Sequence, residues 1–102
     1  MMGNANVKTI ATKDFVDLVR KSDRKNYAIV DVRTEGEIAK HFIDPKLVKV
    51  PIYYYEVDKL ASKASAVNEL SSKVPQDHDL YFLCRAGSRA ARACDIYTQA
   101  TK

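Results

Sequence analysis

One stretch decides the fold of this chain, and it reads Leu80-Tyr81-Phe82-Leu83-Cys84-Arg85-Ala86-Gly87-Ser88-Arg89-Ala90-Ala91-Arg92-Ala93-Cys94. Residues 80–83 form an apolar run without polar alternation, which predicts a strand buried on both faces of a sheet. Gly87 supplies backbone freedom for a turn, and Ser88 is a residue type that caps a following helix. Cys84 therefore ends a buried strand, just before a loop that leads into a helix. Open α/β sheets place their ligand sites at this point.

The chemistry of Cys84 follows from this position. A helix N-terminus carries partial positive charge and unpaired N–H groups, and Arg85 and Arg89 add full charges at the two ends of the loop. Both effects favour a thiolate, which is the nucleophilic form of cysteine, and the same donors can hold an anion beside the sulfur. We expect Cys84 at the tip of the loop, outside the core. The alternative is a buried, inert cysteine.

A six-residue loop carries a resemblance to a known family: Cys84-Arg85-Ala86-Gly87-Ser88-Arg89 is similar to the active-site loop of the rhodanese family of sulfurtransferases. Upstream, Ile29-Val30-Asp31-Val32-Arg33 resembles the family's strand ending in Asp-x-Arg. Three shorter elements, Glu37-Ile38, His41 and Val50-Pro51, resemble its Glu-aromatic, Gly-His-Ile and Ile-Pro elements. The similarity covers residues 10–97, and it suggests a single-domain protein like the thiosulfate sulfurtransferases.

The resemblance implies an α/β fold in which residues 1–102 form one three-layer rhodanese-like domain. Its open, mostly parallel sheet would have four or five short strands, with helices on both faces. The family's sheet order is 3-2-4-5-1, and by this comparison we expect the family's last strand, which would follow Tyr97, to be missing from the sheet. Three outcomes stay open: the chain is a fragment, residues 7–10 pair directly with the Cys84 strand, or a sheet edge is left open and invites oligomerisation.

Other elements are predicted from local patterns. Thr12 is expected to cap a first helix, and residues 34–40 to form a short charged helix or turn. The remaining expectations are a loop at 22–26, strands at 27–32 and 47–50, and a long amphipathic helix at 57–73. Tyr53-Tyr54-Tyr55 is either partial core packing or a pocket rim and partner surface.

The function implied by the resemblance is sulfur transfer through a persulfide on Cys84, the catalytic residue. A small anionic sulfur donor such as thiosulfate would supply the sulfur, and a thiol or protein-cysteine acceptor would take it. Loop N–H groups from Arg85 through Ala86, Gly87 and Ser88 to Arg89 would hold the persulfide, as an oxyanion hole holds charge.

Several further roles follow from the same comparison. Arg85, and also Arg33, would bind the anionic end of the donor. Asp31 would support the site by pairing with loop donors or with Arg33. His41 would be structural.

Two other functions remain open. Cys-based phosphatases and arsenate reductases of related fold use Cys-x5-Arg, whereas Cys84 and Arg89 have the Cys-x4-Arg spacing and position 90 is Ala. The shorter loop suits one sulfur atom better than a phosphate. The other alternative is a non-catalytic rhodanese-like interaction or regulatory module. Cys94, in helical phase with Ala90 and Tyr97, is interpreted as core packing and not as a second reactive thiol.

The sequence departs from the family pattern around His41. It has one residue fewer than usual between Asp31 and His41, and Phe42-Ile43-Asp44-Pro45 replaces Ile-x-Gly-Ala. The shape of this side of the pocket is therefore not predicted by the resemblance.

The composition is that of an ordinary soluble domain, with 102 residues, 46% hydrophobic, 29% charged and a net charge of +4. No basic run with interleaved aromatics suggests nucleic-acid binding, and no apolar run is long enough to span a membrane. Two cysteines without a secretory signal fit a reducing, cytoplasmic setting. His41 has no Cys or His neighbours at ligand spacing, so it is poor evidence for a metal site, and no cofactor is expected.

Overall fold

The computed structural model describes residues 6–21 and 26–101, where strands and helices alternate along the chain. The elements are β1 (Val7–Ala11), α1 (Thr12–Lys21), β2 (Tyr27–Asp31), α2 (Glu35–Lys40), α3 (Pro45–Val48), β3 (Ile52–Tyr54), α4 (Val57–Ser62), α5 (Ala64–Lys73), β4 (Asp79–Cys84) and α6 (Ser88–Ala100). The loop predicted at 22–26 falls mostly on residues 22–25, which lie outside the described residues. None of the helices in the described ranges is long and apolar enough to cross a membrane.

The four strands form one parallel sheet in the order β1-β4-β2-β3. Parallel neighbours need crossover connections, and the intervening helices supply them. Of the outcomes considered for the first strand, direct pairing with the Cys84 strand is what the structure shows, with Val7 opposite Leu80 and Ala11 opposite Cys84. Among the described residues no strand lies between β1 and β4, so β1 and β3 form the two edges of the sheet.

The sheet is covered on both faces, which confirms the predicted α/β class with three layers. Alternate residues of β2 and β4 point to opposite sides. Ala28, Val30, Leu80 and Phe82 belong to a core shared with α4, α5 and α6. On the other face, Tyr27, Ile29 and Leu83 pack with Phe15 of α1. Because β2 and β4 are buried on both sides, their apolar runs show no alternation with polar residues.

The strand predicted at 47–50 is wrong. This segment contains the short helix α3, and the third strand begins at Ile52. The Asp44 side chain accepts a hydrogen bond from the Lys46 backbone N–H, and Pro45 occupies the first turn, where its missing N–H costs nothing. The helix ends at Lys49, whose φ of 62° is left-handed. Local capping therefore prevails over the apolar character of the segment.

The long helix predicted at 57–73 is two helices, separated at Lys63. The Lys63 backbone is extended, with φ −134° and ψ 109°, and it ends α4 and precedes α5. In α5, Val67 and Leu70 are buried whereas Ala64 is exposed. The break therefore lets each short helix turn its own apolar side toward the sheet.

The three consecutive tyrosines have different surroundings. Tyr55 is a core residue, and its hydroxyl donates to Glu69. Tyr53 is half-buried and its hydroxyl donates to the Lys73 carbonyl, whereas Tyr54 remains 42% exposed. Packing accounts for two of the three rings, and a role for this segment in binding a partner remains a prediction.

Candidate functional site

The predicted site residues meet at the carboxyl ends of the parallel strands. Cys84 is the last residue of β4, and Ala11, the last residue of β1, lies directly opposite it. Asp31 ends β2 and is paired in register with Leu83, the neighbour of Cys84. The Val32 N–H continues this pairing by donating to the Leu83 carbonyl at 2.9 Å. The parallel topology thus brings segments distant in sequence to one edge, as expected for an α/β ligand site.

The sulfur of Cys84 lies under the loop that follows it. Its Sγ accepts the backbone N–H of Gly87 at 2.9 Å and that of Ala90 at 3.3 Å. The residue is 1% exposed, so the expectation of a cysteine at an exposed loop tip is wrong. The loop folds back over the strand end because its N–H groups find an acceptor in the sulfur. Two backbone N–H groups at the start of α6 are therefore directed at the sulfur.

Gly87 allows this loop geometry. Its φ of 100° and ψ of −23° lie in the left-handed region, which residues with a Cβ rarely adopt. Gly87 itself is the N-cap of α6, with no side-chain cap, and Ser88 is the first helical residue. The expected capping by Ser88 is therefore wrong, because the sharp turn that brings the Gly87 N–H to the sulfur moves the helix start one residue later.

The charge of Arg89 is compensated by Glu37. The guanidinium donates to both carboxylate oxygens, to Oε1 at 2.6 Å and to Oε2 at 2.8 Å. Glu37 also closes a capping box with Thr34 at the start of α2. Hydrogen bonds from Arg89, followed by those from Thr34, hold the pKa of Glu37 well below its usual range, and the same pairing raises the pKa of Arg89.

The family resemblance includes Glu37 but assigns it no structural role. A local signal for part of that role was present, because Thr34-x-x-Glu37 is the pattern of a capping box. Its second partner, Arg89, lies 52 residues further along the chain. No local pattern indicates that contact.

Arg33 is the partner of Asp31, one of the two partners expected for that carboxylate. The guanidinium Nε donates to Oδ1 at 2.9 Å and its NH2 nitrogen to Oδ2 at 2.7 Å. Both side chains are buried, with exposures of 3% and 0%. The hydrogen bond to Asp31 is the main cause that raises the pKa of Arg33. Its NH1 nitrogen donates to the His41 carbonyl at 3.0 Å, so His41 contributes its backbone to this support.

Arg85 differs from the other two arginines. Its side chain is exposed, and within residues 6–21 and 26–101 its guanidinium has no hydrogen bond or ion pair. The Arg85 carbonyl accepts the Thr12 hydroxyl at 3.4 Å, which links the loop to the start of α1. Of the two loop arginines, Arg85 is therefore the one with an uncompensated charge.

A cleft of about 640 Å³ opens beside Arg85. Its walls come from the beginning of α1, from α2 and from the segment after α2, and they include Lys13, Val16, Lys40 and Phe42. Cys84 is not among the residues that line it. In the described part of the chain, no cluster of three or more His, Cys, Asp or Glu side chains could hold a metal ion.

Cys94 lies on α6 and is half-buried against the core formed with α4 and α5. Burial is the main cause that raises the pKa of its thiol, and the nearby charge of Asp95 raises it further. These surroundings favour the packing role that its helical phase predicts.

Comparison with curated proteins found similarity to a sulfurtransferase. The chain is 29% identical over 80 residues to a protein of Allochromatium vinosum named "Sulfurtransferase". The alignment covers 78% of this chain and 63% of that relative's length. No protein-family model matches the chain, and no solved structure matches it. The chain is thus similar to a protein named a sulfurtransferase, and it spans less than two thirds of that protein's length.

Proposed function

We propose that this protein is a sulfurtransferase that moves a sulfane sulfur through a persulfide on Cys84, with thiosulfate or a similar anion as donor. The observation that carries the proposal is the pair of backbone N–H groups, from Gly87 and Ala90, directed at the Cys84 sulfur. The similarity to a sulfurtransferase and the rhodanese-like loop support the same reaction class.

In the first step the Cys84 thiolate attacks the outer sulfur of thiosulfate. A new S–S bond forms on Cys84 while the donor's S–S bond breaks, and the electron pair of that bond leaves with sulfite. Cys84 is left as a persulfide anion, so charge and sulfur are conserved without an oxidant. The two N–H groups at the sulfur, together with those of the loop, would hold the persulfide charge.

In the second step an acceptor thiolate attacks the outer sulfur of the persulfide. The bond to Cys84 breaks, and its electron pair returns to the Cys84 sulfur as thiolate. The acceptor leaves as a persulfide, or as thiocyanate where cyanide is used as the acceptor. The enzyme is restored without a cofactor.

The three arginines would have separate roles. Arg85, which is exposed and uncompensated, would bind the anionic end of the donor. Arg89 would be a positioning residue, because its ion pair with Glu37 fastens the start of α6 to α2. Arg33 and Asp31 would support the strand ends from within the core, and the engagement of Arg33 with Asp31 argues against a direct role in anion binding.

The burial of Cys84 sets a requirement for this chemistry. Because Cys84 is 1% exposed, a donor can reach its sulfur only if the loop moves away from it. Arg85 and Ala86 are exposed, and among the described residues the N–H groups that contact the sulfur are those of Gly87 and Ala90. We therefore propose that the donor enters by displacing the 85–87 backbone outward, while α6 stays in place.

The test is intact-protein mass spectrometry after treatment with thiosulfate. We expect a gain of one sulfur atom in the native protein and in the Cys94→Ser variant, and none in Cys84→Ser. The serine hydroxyl can accept the same two N–H groups, so Cys84→Ser should stay folded, which a thermal melt checks. A sulfur gained by folded Cys84→Ser, or none gained by native protein, would contradict the proposal.

The burial of Cys84 is also what favours a non-catalytic interaction module, the second candidate. Such a module would show no sulfur gain with thiosulfate and no thiocyanate formation with cyanide. A phosphatase function has less support, since Ala90 occupies the position where the longer loop would have its arginine. The Ala90 N–H is already directed at the Cys84 sulfur.

A further inference from the structure

The lining of the cleft beside Arg85 combines exposed apolar side chains with positive charges. Among the described residues four large hydrophobic side chains are well exposed, and two of them, Val16 at 48% and Phe42 at 60%, line this cleft. Exposed apolar side chains grouped in a concavity mark a binding surface more often than scattered ones do. The cleft therefore has the character of a recognition site.

The charges of the cleft have one sign once its ion pairs are accounted for. Glu37 and Arg33 both line it, but each is paired, with Arg89 and with Asp31 respectively. The remaining charged side chains of the lining are Lys13, Lys40 and Arg85. Within the described residues none of these three has an ion-pair partner. The cleft thus presents three uncompensated positive charges.

A small inorganic donor does not account for these features. Thiosulfate has five heavy atoms and no apolar group, whereas the cleft, at about 640 Å³, is of the size that holds larger ligands. Phe42 and Val16 gain nothing from contact with such an anion. An occupant that uses the whole surface has negative charge for the cations and apolar side chains for Val16 and Phe42.

We infer that this cleft is the docking surface for the sulfur acceptor, and that the acceptor is a protein segment in which a cysteine is flanked by acidic and apolar residues. This inference rests on the proposed sulfur transfer and names its acceptor. The charge complementarity argues for an acidic segment, and the exposed apolar side chains of the cleft argue for a peptide over a small charged thiol.

The position of the cleft agrees with that role. Thr12 lines it and donates its hydroxyl to the carbonyl of Arg85, the residue that follows Cys84. A segment lying in the cleft therefore contacts the loop that covers the reactive sulfur. A cysteine near one end of that segment would be close to the persulfide once the loop yields.

The test compares sulfur acceptors with the full chain after loading with thiosulfate. One short synthetic peptide carries a cysteine among Asp, Glu, Leu and Phe; a matched peptide has Lys in place of the acids; 2-mercaptoethanol serves as a small neutral thiol. For the native protein we expect kcat/KM for the acidic peptide to exceed that for the basic one by on the order of tenfold, with the advantage decreasing as salt is added.

Variants locate the effect on the cleft. Lys40→Glu and Phe42→Ala should each lower the ratio of the rate with the acidic peptide to the rate with 2-mercaptoethanol several-fold. Lys63→Glu and Leu47→Ala alter an exposed cation and an exposed apolar residue outside the cleft, and they should keep the native ratio. Equal rates for acidic and basic peptides, or a ratio unaffected by the cleft variants, would overturn the inference.

A binding measurement separates this inference from the proposed reaction. Fluorescence anisotropy follows a labelled acidic peptide, with serine in place of its cysteine, as it binds the Cys84→Ser protein, where no chemistry occurs. Binding that Lys40→Glu weakens would support the docking surface even if thiosulfate failed to load Cys84. If the peptide did not bind Cys84→Ser while the native protein did load sulfur, the docking surface alone would be rejected.

Discussion

Two arginine–carboxylate pairs flank the candidate site, and they differ mainly in burial. Arg33–Asp31 has exposures of 3% and 0%, whereas Arg89–Glu37 has 33% and 30%. Their closest N–O distances, 2.7 Å and 2.6 Å, are nearly equal. The two pairs therefore differ in their surroundings and not in their distances. A buried charge has lost its hydration and depends on its partner, whereas a half-exposed charge keeps part of its hydration.

Arg85 extends this comparison to a third environment, with an exposed side chain and, in the part of the chain that the structure describes, no carboxylate partner. Across Arg33, Arg89 and Arg85, dependence on a protein partner decreases while freedom to bind a ligand increases. We therefore expect the effect of breaking each arrangement on the free energy of unfolding to fall in the same order. The effect on donor binding should run the other way.

Breaking the buried pair should have the largest effect on stability. Asp31→Ala leaves the Arg33 guanidinium buried without its counter-charge, and loss of one partner of a buried pair costs about 3–5 kcal/mol. Urea unfolding measures this change. Asp58→Ala, at a side chain 91% exposed, is the control and should stay within about 0.5 kcal/mol of the native protein. A loss below about 1 kcal/mol for Asp31→Ala would show that water or a shift of Arg33 replaces the carboxylate.

Breaking the half-exposed pair should have a smaller effect, and one that depends on pH. Glu37→Gln removes the charge that holds Arg89, at a cost of about 1 kcal/mol near neutral pH for a partly exposed charge-assisted pair. In the folded protein the pKa of Glu37 lies below its unfolded value of about 4.5. The contribution of the pair is therefore fully present above that unfolded pKa and is lost as pH falls below it.

The pH dependence supplies the measurement. Between about pH 5 and pH 3, stability should fall less steeply in Glu37→Gln than in the native protein, because the variant has no carboxylate to protonate at this position. Glu35→Gln, on the same helix, changes an exposed side chain outside this pair and should keep a slope close to native. If the stability of Glu37→Gln and of the native protein fell equally steeply with pH, the pair would not contribute to the loss of stability in acid.

The part of this arrangement that could be predicted from sequence is the part encoded locally. The apolar run before Cys84, with Gly87 after it, indicates strand, turn and helix, and the structure has these elements. Arg33 was one of two partners that the family resemblance implied for Asp31, and the structure shows this pair.

What could not be predicted depends on long-range geometry. The Arg89–Glu37 contact joins elements 52 residues apart. The burial of Cys84 depends on the loop folding back until two N–H groups reach the sulfur, which no residue type specifies. The adjacency of β1 and β4 was one of three outcomes, because strand pairing is decided by the whole sheet.

The smallest effect on stability, with the clearest effect on function, is expected for Arg85→Ala. The side chain has no partner within the described residues, so its removal should change the free energy of unfolding by no more than about 0.5 kcal/mol. If Arg85 binds the donor's anionic end in both ground and transition states, KM for thiosulfate should rise on the order of tenfold, the equivalent of one charge-assisted contact of about 1.5 kcal/mol, while kcat changes less. Arg85→Lys should recover part of the affinity, since it keeps the charge but not the planar fork.

Arg92→Ala, at a side chain 62% exposed on α6, is the matched control and should keep the native KM. Steady-state thiocyanate formation at varied thiosulfate gives both constants. A KM that stays constant in Arg85→Ala, or a kcat that falls as far as kcat/KM, would show that the free arginine of the loop does not bind the donor and would end the functional side of the comparison.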